Sequence, residues 1–84
     1  MATQRFVIRN AADLGRTVAQ ARHLSGVTQT DLAAQTEMAR DYLSRLEGGI
    51  ETLHLTRALA ALRALGVRLE ATMEYEPDED WSDG

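Results

Sequence analysis

Residues 27–49, VTQTDLAAQTEMARDYLSRLEGG, constrain this chain more than any other stretch. They read as two short helices joined by a tight turn. The first begins at Thr28 and ends near Thr36. The second runs from about Arg40 to Glu47 and stops at the Gly48-Gly49 pair. Thr28 is a good N-cap, and Asp31 three residues on reaches back to the cap N–H; Glu would be the better partner, so the capping box is a weak one. Leu32 faces inward, and Ala33 is small, as it must be where two short helices cross closely. Leu43 and Leu46 are three apart and mark the buried side of the second helix.

That spacing suits a helix-turn-helix, whose second helix enters the DNA major groove. With Leu43 and Leu46 inside, Arg40, Asp41, Ser44 and Arg45 face outward together. Arg pairs with guanine O6/N7, Asp accepts from cytosine N4, and Ser serves either, so the four form a base-reading set. The bland alternative is the solvated face of a core helix.

Eighty-four residues make one small domain. A single core is marginal at this size, and oligomerisation is a common remedy. There is no cysteine, hence no disulfide framework and no thiolate metal site, which fits a reducing cytoplasm. No apolar run approaches membrane-spanning length, and the N-terminus lacks a signal-peptide pattern. The net charge of −4 argues against DNA binding only if read as one number. Residues 1–73 carry nine Arg against seven acidic residues, net +2, while residues 74–84 carry six acidic residues and no base. A mildly basic body with a strongly acidic tail is the signature of a separate interaction segment.

Along the chain, residues 1–4 are expected to be disordered, and residues 5–9, RFVIR, form a short β-prone run. Asn10 caps a helix with Asp13 at its third position. Leu14, Val18, Ala21 and Leu24 carry that helix to about Ser25, with Gly26 at its C-terminal cap. Thr52 caps a fourth helix over residues 53–65, whose stripe is Leu55, Ala58, Leu59, Leu62 and Leu65; with five Leu and four Ala it is expected to be the central core helix. After Gly66 the period changes to two. Val67, Leu69, Ala71, Met73 and Tyr75 alternate with Arg68, Glu70, Thr72 and Glu74, a half-buried strand. Its backbone groups must pair with the Phe6–Ile8 run, with the same strand of a second copy, or with both. Pro77 breaks the strand, and the remaining polar segment is too polar to fold alone.

Residues 14–66 resemble the XRE, or Cro/C1-type, helix-turn-helix domain of phage repressors. The residues that carry the likeness are Arg22, Thr28-Gln29, Leu32-Ala33 and Leu43-Ser44-Arg45-Leu46-Glu47-Gly48. The resemblance implies a mainly α, lambda-repressor-like domain of four to five helices, here with a C-terminal β-strand used in dimerisation. It implies that Arg22 and Glu47 form a structural pair, that Gln29 touches a phosphate, and that Arg40, Asp41 and Arg45 read bases. The whole chain looks more specifically like the HipB-type antitoxins, on three features together: the strand before helix 1, the strand directly after helix 4, and an acidic tail bearing one Trp. That likeness implies a homodimer paired through Val67, Leu69, Ala71 and Met73, autorepression at a palindromic double-stranded DNA operator, a HipA-type Ser/Thr kinase toxin as partner, and a bacterial cytoplasmic location, at the nucleoid when bound. The organisation expected is a strand or arm at 1–10, the helix-turn-helix domain at 11–66, the dimerisation strand at 67–75 and the acidic tail at 76–84.

Two positions depart from the family pattern. Glu37 stands where the turn Gly is usual, and left-handed geometry there strains it by roughly 1 kcal/mol. Ala39 stands where a Ser or Thr cap is usual, which costs about 0.5–2 kcal/mol against a good cap. A shift of the second helix by one residue would bring Tyr42 to the DNA backbone. Phosphate contacts are expected from Thr28, Gln29, Tyr42 and the N–H groups of Gly48 and Gly49. His23 and His54 stand without any Cys or paired carboxylate and read as surface residues, so no metal is expected. No phosphate-binding loop, nucleophile elbow or dinucleotide motif appears; no cofactor, no membrane partner and no enzyme is implied. Trp81, alone in the acidic tail, reads as an anchor for a partner's pocket or as a vestigial exposed residue. Two other readings stay open: a free-standing regulator without a toxin, and an interaction adaptor that no longer binds DNA.

Overall fold

The computed structural model describes residues 1–50 and 52–77. Residue 51 and residues 78–84, which include Trp81 and most of the acidic tail, lie outside the described residues. The chain runs β1 (Ala2–Ile8), α1 (Ala11–Leu24), α2 (Gln29–Thr36), α3 (Arg40–Glu47), α4 (Leu53–Ala64) and β2 (Leu69–Tyr75).

Helix boundaries follow directly from the local sequence. Asn10, Thr28 and Thr52 cap α1, α2 and α4, their side-chain oxygens accepting from the N–H of Asp13 (2.8 Å), Asp31 (3.0 Å) and Leu55 (3.2 Å). All four helices end alike. A left-handed residue turns the chain away: Gly26, Glu37, Gly49 and Gly66, with φ of 70°, 56°, 90° and 74°. The next residue's N–H then reaches back to a carbonyl in the last turn: Val27 to Arg22 (3.1 Å), Met38 to Ala33 (2.9 Å), Ile50 to Arg45 (3.0 Å), Val67 to Leu62 (2.9 Å). This is the Schellman closure, and each donor belongs to an apolar residue, as its hydrophobic contact requires. Glu37 is the one left-handed position filled by a residue with a Cβ. α3 is the one helix without a side-chain cap; Ala39 precedes it at φ −66°, ψ 138°. Both departures from good local chemistry thus fall in the α2–α3 turn, and α3 still begins at Arg40.

β1 and β2 form a two-stranded antiparallel sheet in register from Ala2↔Tyr75 to Ile8↔Leu69. The expected disorder at residues 1–4 is therefore corrected: ladder bonds to residues 73–75 hold Ala2, Thr3 and Gln4 in the strand. Pairing within the chain answers where β2 finds one set of hydrogen bonds. Phe6 and Ile8 face the same side as Ala71 and Leu69 and are buried; Arg5 and Glu70 face the other, with Nε and Oε1 3.1 Å apart. Val67 does not belong to the strand, contrary to the alternation. Its N–H closes α4 on the Leu62 carbonyl, so β2 starts two residues later.

The buried apolar residues among those described are Phe6, Ile8, Ala11, Ala33, Leu43 and Leu59. α4 is not the central core helix. Its stripe exists, but the rest of the chain covers only one edge of it: Leu59 is buried, Leu55 and Leu62 are half-buried, Ala58 is exposed and Leu65 is 77% exposed. The tight contact lies instead between α1 and the end of α3. A Cβ on Gly15 would collide with the Leu46 carbonyl oxygen and stand 2.9 Å from that of Glu47, and one on Gly49 would stand 3.0 Å from Ala12 Cα.

Two stability measurements test this account. Gly15→Ala should destabilise by about 1–3 kcal/mol or more in urea titration, since backbone must move to admit the methyl. Glu37→Gly should stabilise by about 0.5–1 kcal/mol: it relieves roughly 1–2 kcal/mol of left-handed strain and gives back part of that as unfolded-chain entropy.

Candidate nucleic-acid interface

The second helix of the pair is held in place by one buried carboxylate. Glu47, the last residue of α3, receives Arg22 Nε on Oε2 at 2.7 Å and Arg22 Nη2 on Oε1 at 3.0 Å. Gln29 Nε2 donates to the same Oε1 at 3.0 Å, and Arg22 Nη1 donates to the Val27 carbonyl at 3.0 Å. The side chains of Arg22 and Glu47 are only 10% and 6% exposed. One guanidinium fork therefore joins α1, the α1–α2 turn and α3, with α2 added through Gln29. This planar, bidentate geometry is available to Arg and not to Lys. The hydrogen bond from Arg22 holds the Glu47 carboxyl below its ordinary value, against the opposing effect of burial; the amide of Gln29 adds to the lowering.

With α3 so fixed, Leu43 is fully buried, Leu46 and Glu47 are half-buried, and Arg40, Asp41, Tyr42, Ser44 and Arg45 are exposed. The four residues expected to read bases share the outward face. Among the described residues the ion pairs are Arg5–Glu70, Arg16–Asp13, Arg22–Glu47 and Arg68–Glu70, so neither Arg40 nor Arg45 is committed to an acid, and Asp41 pairs with neither. An open cleft of about 450 Å³ lies between the start of α2 and the start of α3, lined by His23, Thr28, Gln29, Thr30 and Arg40 among others.

The residues expected to touch phosphate divide. Thr28 accepts the Asp31 N–H and keeps its own hydroxyl proton. Gln29 gives one amide hydrogen to Glu47 and keeps the second. Tyr42 is 43% exposed beside that outward face. Gly48 and Gly49 are corrected: their N–H groups already donate to the Ser44 and Leu46 carbonyls, both at 3.1 Å, and so are not free to meet a phosphate. The free donors are at the other end of α3, where the first intrahelical bond is Leu43 N–H to Ala39 and no side chain caps the turn. Sequence reasoning missed His23 and Thr30 in the cleft. Thr30 was legible as the second residue after the α2 cap. His23 lines the cleft from the last turn of α1, its Nε2 3.4 Å from Arg22 Nη2.

Acid titration tests the Glu47 pair. Its folded carboxyl titrates below the ordinary 4.5, so the stabilisation is fully present above that pH and is lost as pH falls through the lowered value. Glu47→Gln should be less stable at neutral pH and lose less stability than the parent on acidification, read as unfolding midpoints in a pH series. Parallel pH profiles would exclude the pair as a source of acid sensitivity.

A family model described as a helix-turn-helix domain matches residues 13–74. Comparison with curated proteins and with solved structures gives no match. The matched span takes in all but the first two residues of α1, the whole of α2, α3 and α4, and all but the last residue of β2, so the chain belongs to the helix-turn-helix domain family.

Proposed function

We propose that this chain is a dimeric, sequence-specific transcriptional repressor that reads a palindromic operator through α3, and that it is the antitoxin of a HipBA-like module with a HipA-type Ser/Thr kinase toxin as partner. The observation that carries the DNA-binding part is the outward face of α3, where two uncommitted arginines stand beside a carboxylate and a hydroxyl. Arg40 and Arg45 read guanine edges, Asp41 accepts from a cytosine amino group, and Ser44 takes either partner. Thr28, the second amide hydrogen of Gln29, Tyr42 and the uncapped N–H groups at the start of α3 set the register on phosphates.

Dimerisation rests on what the protomer leaves open. β2 has one edge without a strand partner among the described residues, and the α4 stripe passes into the exposed Leu65 and Val67. An unpaired edge and exposed leucines are both liabilities that a second copy removes. Leu69, Ala71 and Met73 are the strand residues of that interface. Two-fold symmetry then gives half-sites one helical turn apart, or a multiple of it. The antitoxin part is supported by architecture: a strand on each side of the helical domain, followed by an acidic tail with one Trp. The protein works in the bacterial cytoplasm, at the nucleoid when bound, with Trp81 as the anchor offered to the toxin.

Arg45→Ala should weaken operator binding by about 1–3 kcal/mol and relax one base position, measured by titration of duplexes carrying single substitutions. Equal affinity of parent and variant would remove Arg45 from the reading set. For the partner, affinity capture from native cells compares the full chain with a chain ending at Tyr75. A kinase recovered only with the tail supports the antitoxin reading with Trp81 in the contact. A kinase recovered equally by both moves the contact to the folded body, and no stoichiometric partner favours a free-standing regulator.

A further inference from the structure

A groove of about 370 Å³ runs between the C-terminal half of α4 and the end of the β-ribbon, within the range of roughly 300–1,000 Å³ typical of ligand-holding clefts. Its lining is apolar at Leu59, Leu62, Val67 and Leu69 and cationic at Arg9, Arg63 and Arg68, the last also ion-paired with Glu70. A lining both apolar and cationic fits an acidic segment with an aromatic anchor. This chain contains one: residues 76–84, EPDEDWSDG, with five carboxylates and the sole Trp. We propose that, while no toxin holds Trp81, the groove is the docking site for the acidic C-terminal segment of a second copy of the chain, with Trp81 on its floor.

Reach decides between the same chain and a second copy. The groove lies at the Ile8↔Leu69 end of the ribbon, and the chain leaves the ribbon at the opposite end, Ala2↔Tyr75. The two ends are six residues apart, ~20 Å. Trp81 is six residues beyond Tyr75, ~20 Å at full extension, so the segment could span the ribbon back to its own groove only fully stretched, with no length left to reverse its direction.

A second copy has the opposite geometry; this step rests on the dimer proposed above. Two β2 edges pairing antiparallel about a two-fold axis have few registers to choose from. Centring on Thr72 sets Glu70 against Glu74 of the other copy, twice, and like charges in direct opposition are unfavourable. Centring on Ala71 sets Glu70 against Thr72, Arg68 against Glu74, and Val67 beside Tyr75. In that register the second copy's Pro77 falls opposite Leu65, and its acidic residues emerge along Gly66, Arg63 and the groove. The tail's negative charge then lies against the groove arginines, and each copy latches the other.

Trp81 is the only Trp, so the fluorescence of the full-length protein reports on this segment alone. Emission should be blue-shifted relative to free tryptophan at concentrations where sedimentation shows a dimer. It should shift to the red on dilution to monomer, and also in the Arg9→Glu/Arg63→Glu variant while far-UV circular dichroism stays native. A dimer with solvent-like emission overturns the latch and leaves the dimer standing. A blue-shifted monomer overturns docking between copies. Blue-shifted emission indifferent to the charge reversals shows that the segment sits elsewhere and also overturns it. A monomer at every concentration with solvent-like emission removes the dimer and the latch together.

Discussion

The Arg22–Glu47 fork is the interaction on which the rest of the interface depends. α2 and α3 are eight residues each, shorter than any helix that holds itself in water, so their orientation must be imposed from outside. The fork imposes it from α1, the longest helix, and draws in Gln29 and the Val27 carbonyl at the same point. Glu47 is by itself badly placed, a carboxylate on the last residue of a helix whose end already carries partial negative charge. The guanidinium offsets that, and burial makes the pair intolerant of losing either member, since the survivor would keep an unpaired charge out of water. Gly15 supplies the other half of the arrangement. It lets α1 approach the final carbonyls of α3 closely enough for Arg22 to span the gap.

The α2–α3 turn breaks local rules that the rest of the chain keeps. Three caps and three left-handed glycines are in place elsewhere, yet here Glu occupies the left-handed position and Ala the cap. A cap side chain at Ala39 would use the N–H groups at the start of α3. Leaving it out keeps those donors, and the positive end of the helix dipole, available to an anion beside Arg40. Strain at Glu37 and a missing cap at Ala39 are tolerated because the other end of α3 is fixed by the fork. Local inconsistency concentrated where a helix is presented outward is what a site under functional demand looks like.

Much of this was legible in the sequence because it is local. Asn10, Thr28 and Thr52 announce helix starts, and Gly26, Gly49 and Gly66 announce ends. The stripe Leu43–Leu46 assigns the inner face of α3, and the Arg–Glu pair follows from the family pattern. What could not be read is what depends on two distant segments meeting. The collision awaiting a Cβ on Gly15 belongs to the approach of α3. The ordering of residues 2–4 belongs to a partner strand about seventy positions away. Val67 continues an alternating pattern and yet serves α4, because closing a helix and extending a strand both ask for an apolar residue there. Composition misled in the same way for α4: five Leu and four Ala show an apolar helix, not which part of it the rest of the chain covers.

The division of the nine arginines explains how a chain of net charge −4 presents a cationic face. Arg5, Arg16, Arg22 and Arg68 are matched with acids within the chain. Arg9 and Arg63, with Arg68, line the groove by α4, and among the described residues no acid pairs with Arg57. Only Arg40 and Arg45 stand on the outward face of α3. The acidic excess is not spread over the fold but gathered beyond Met73, on a segment leaving the ribbon end opposite the groove. At physiological ionic strength a charge acts over a Debye length of about 8 Å, so local arrangement and not the net sum sets what a phosphate meets. Acids held against the groove arginines of a second copy would neutralise charge that otherwise repels DNA, and would leave α3 the least compensated positive surface of the dimer. In that arrangement segregation of charge along the sequence would become segregation in space, and the negative total is compatible with the nucleic-acid reading proposed for α3.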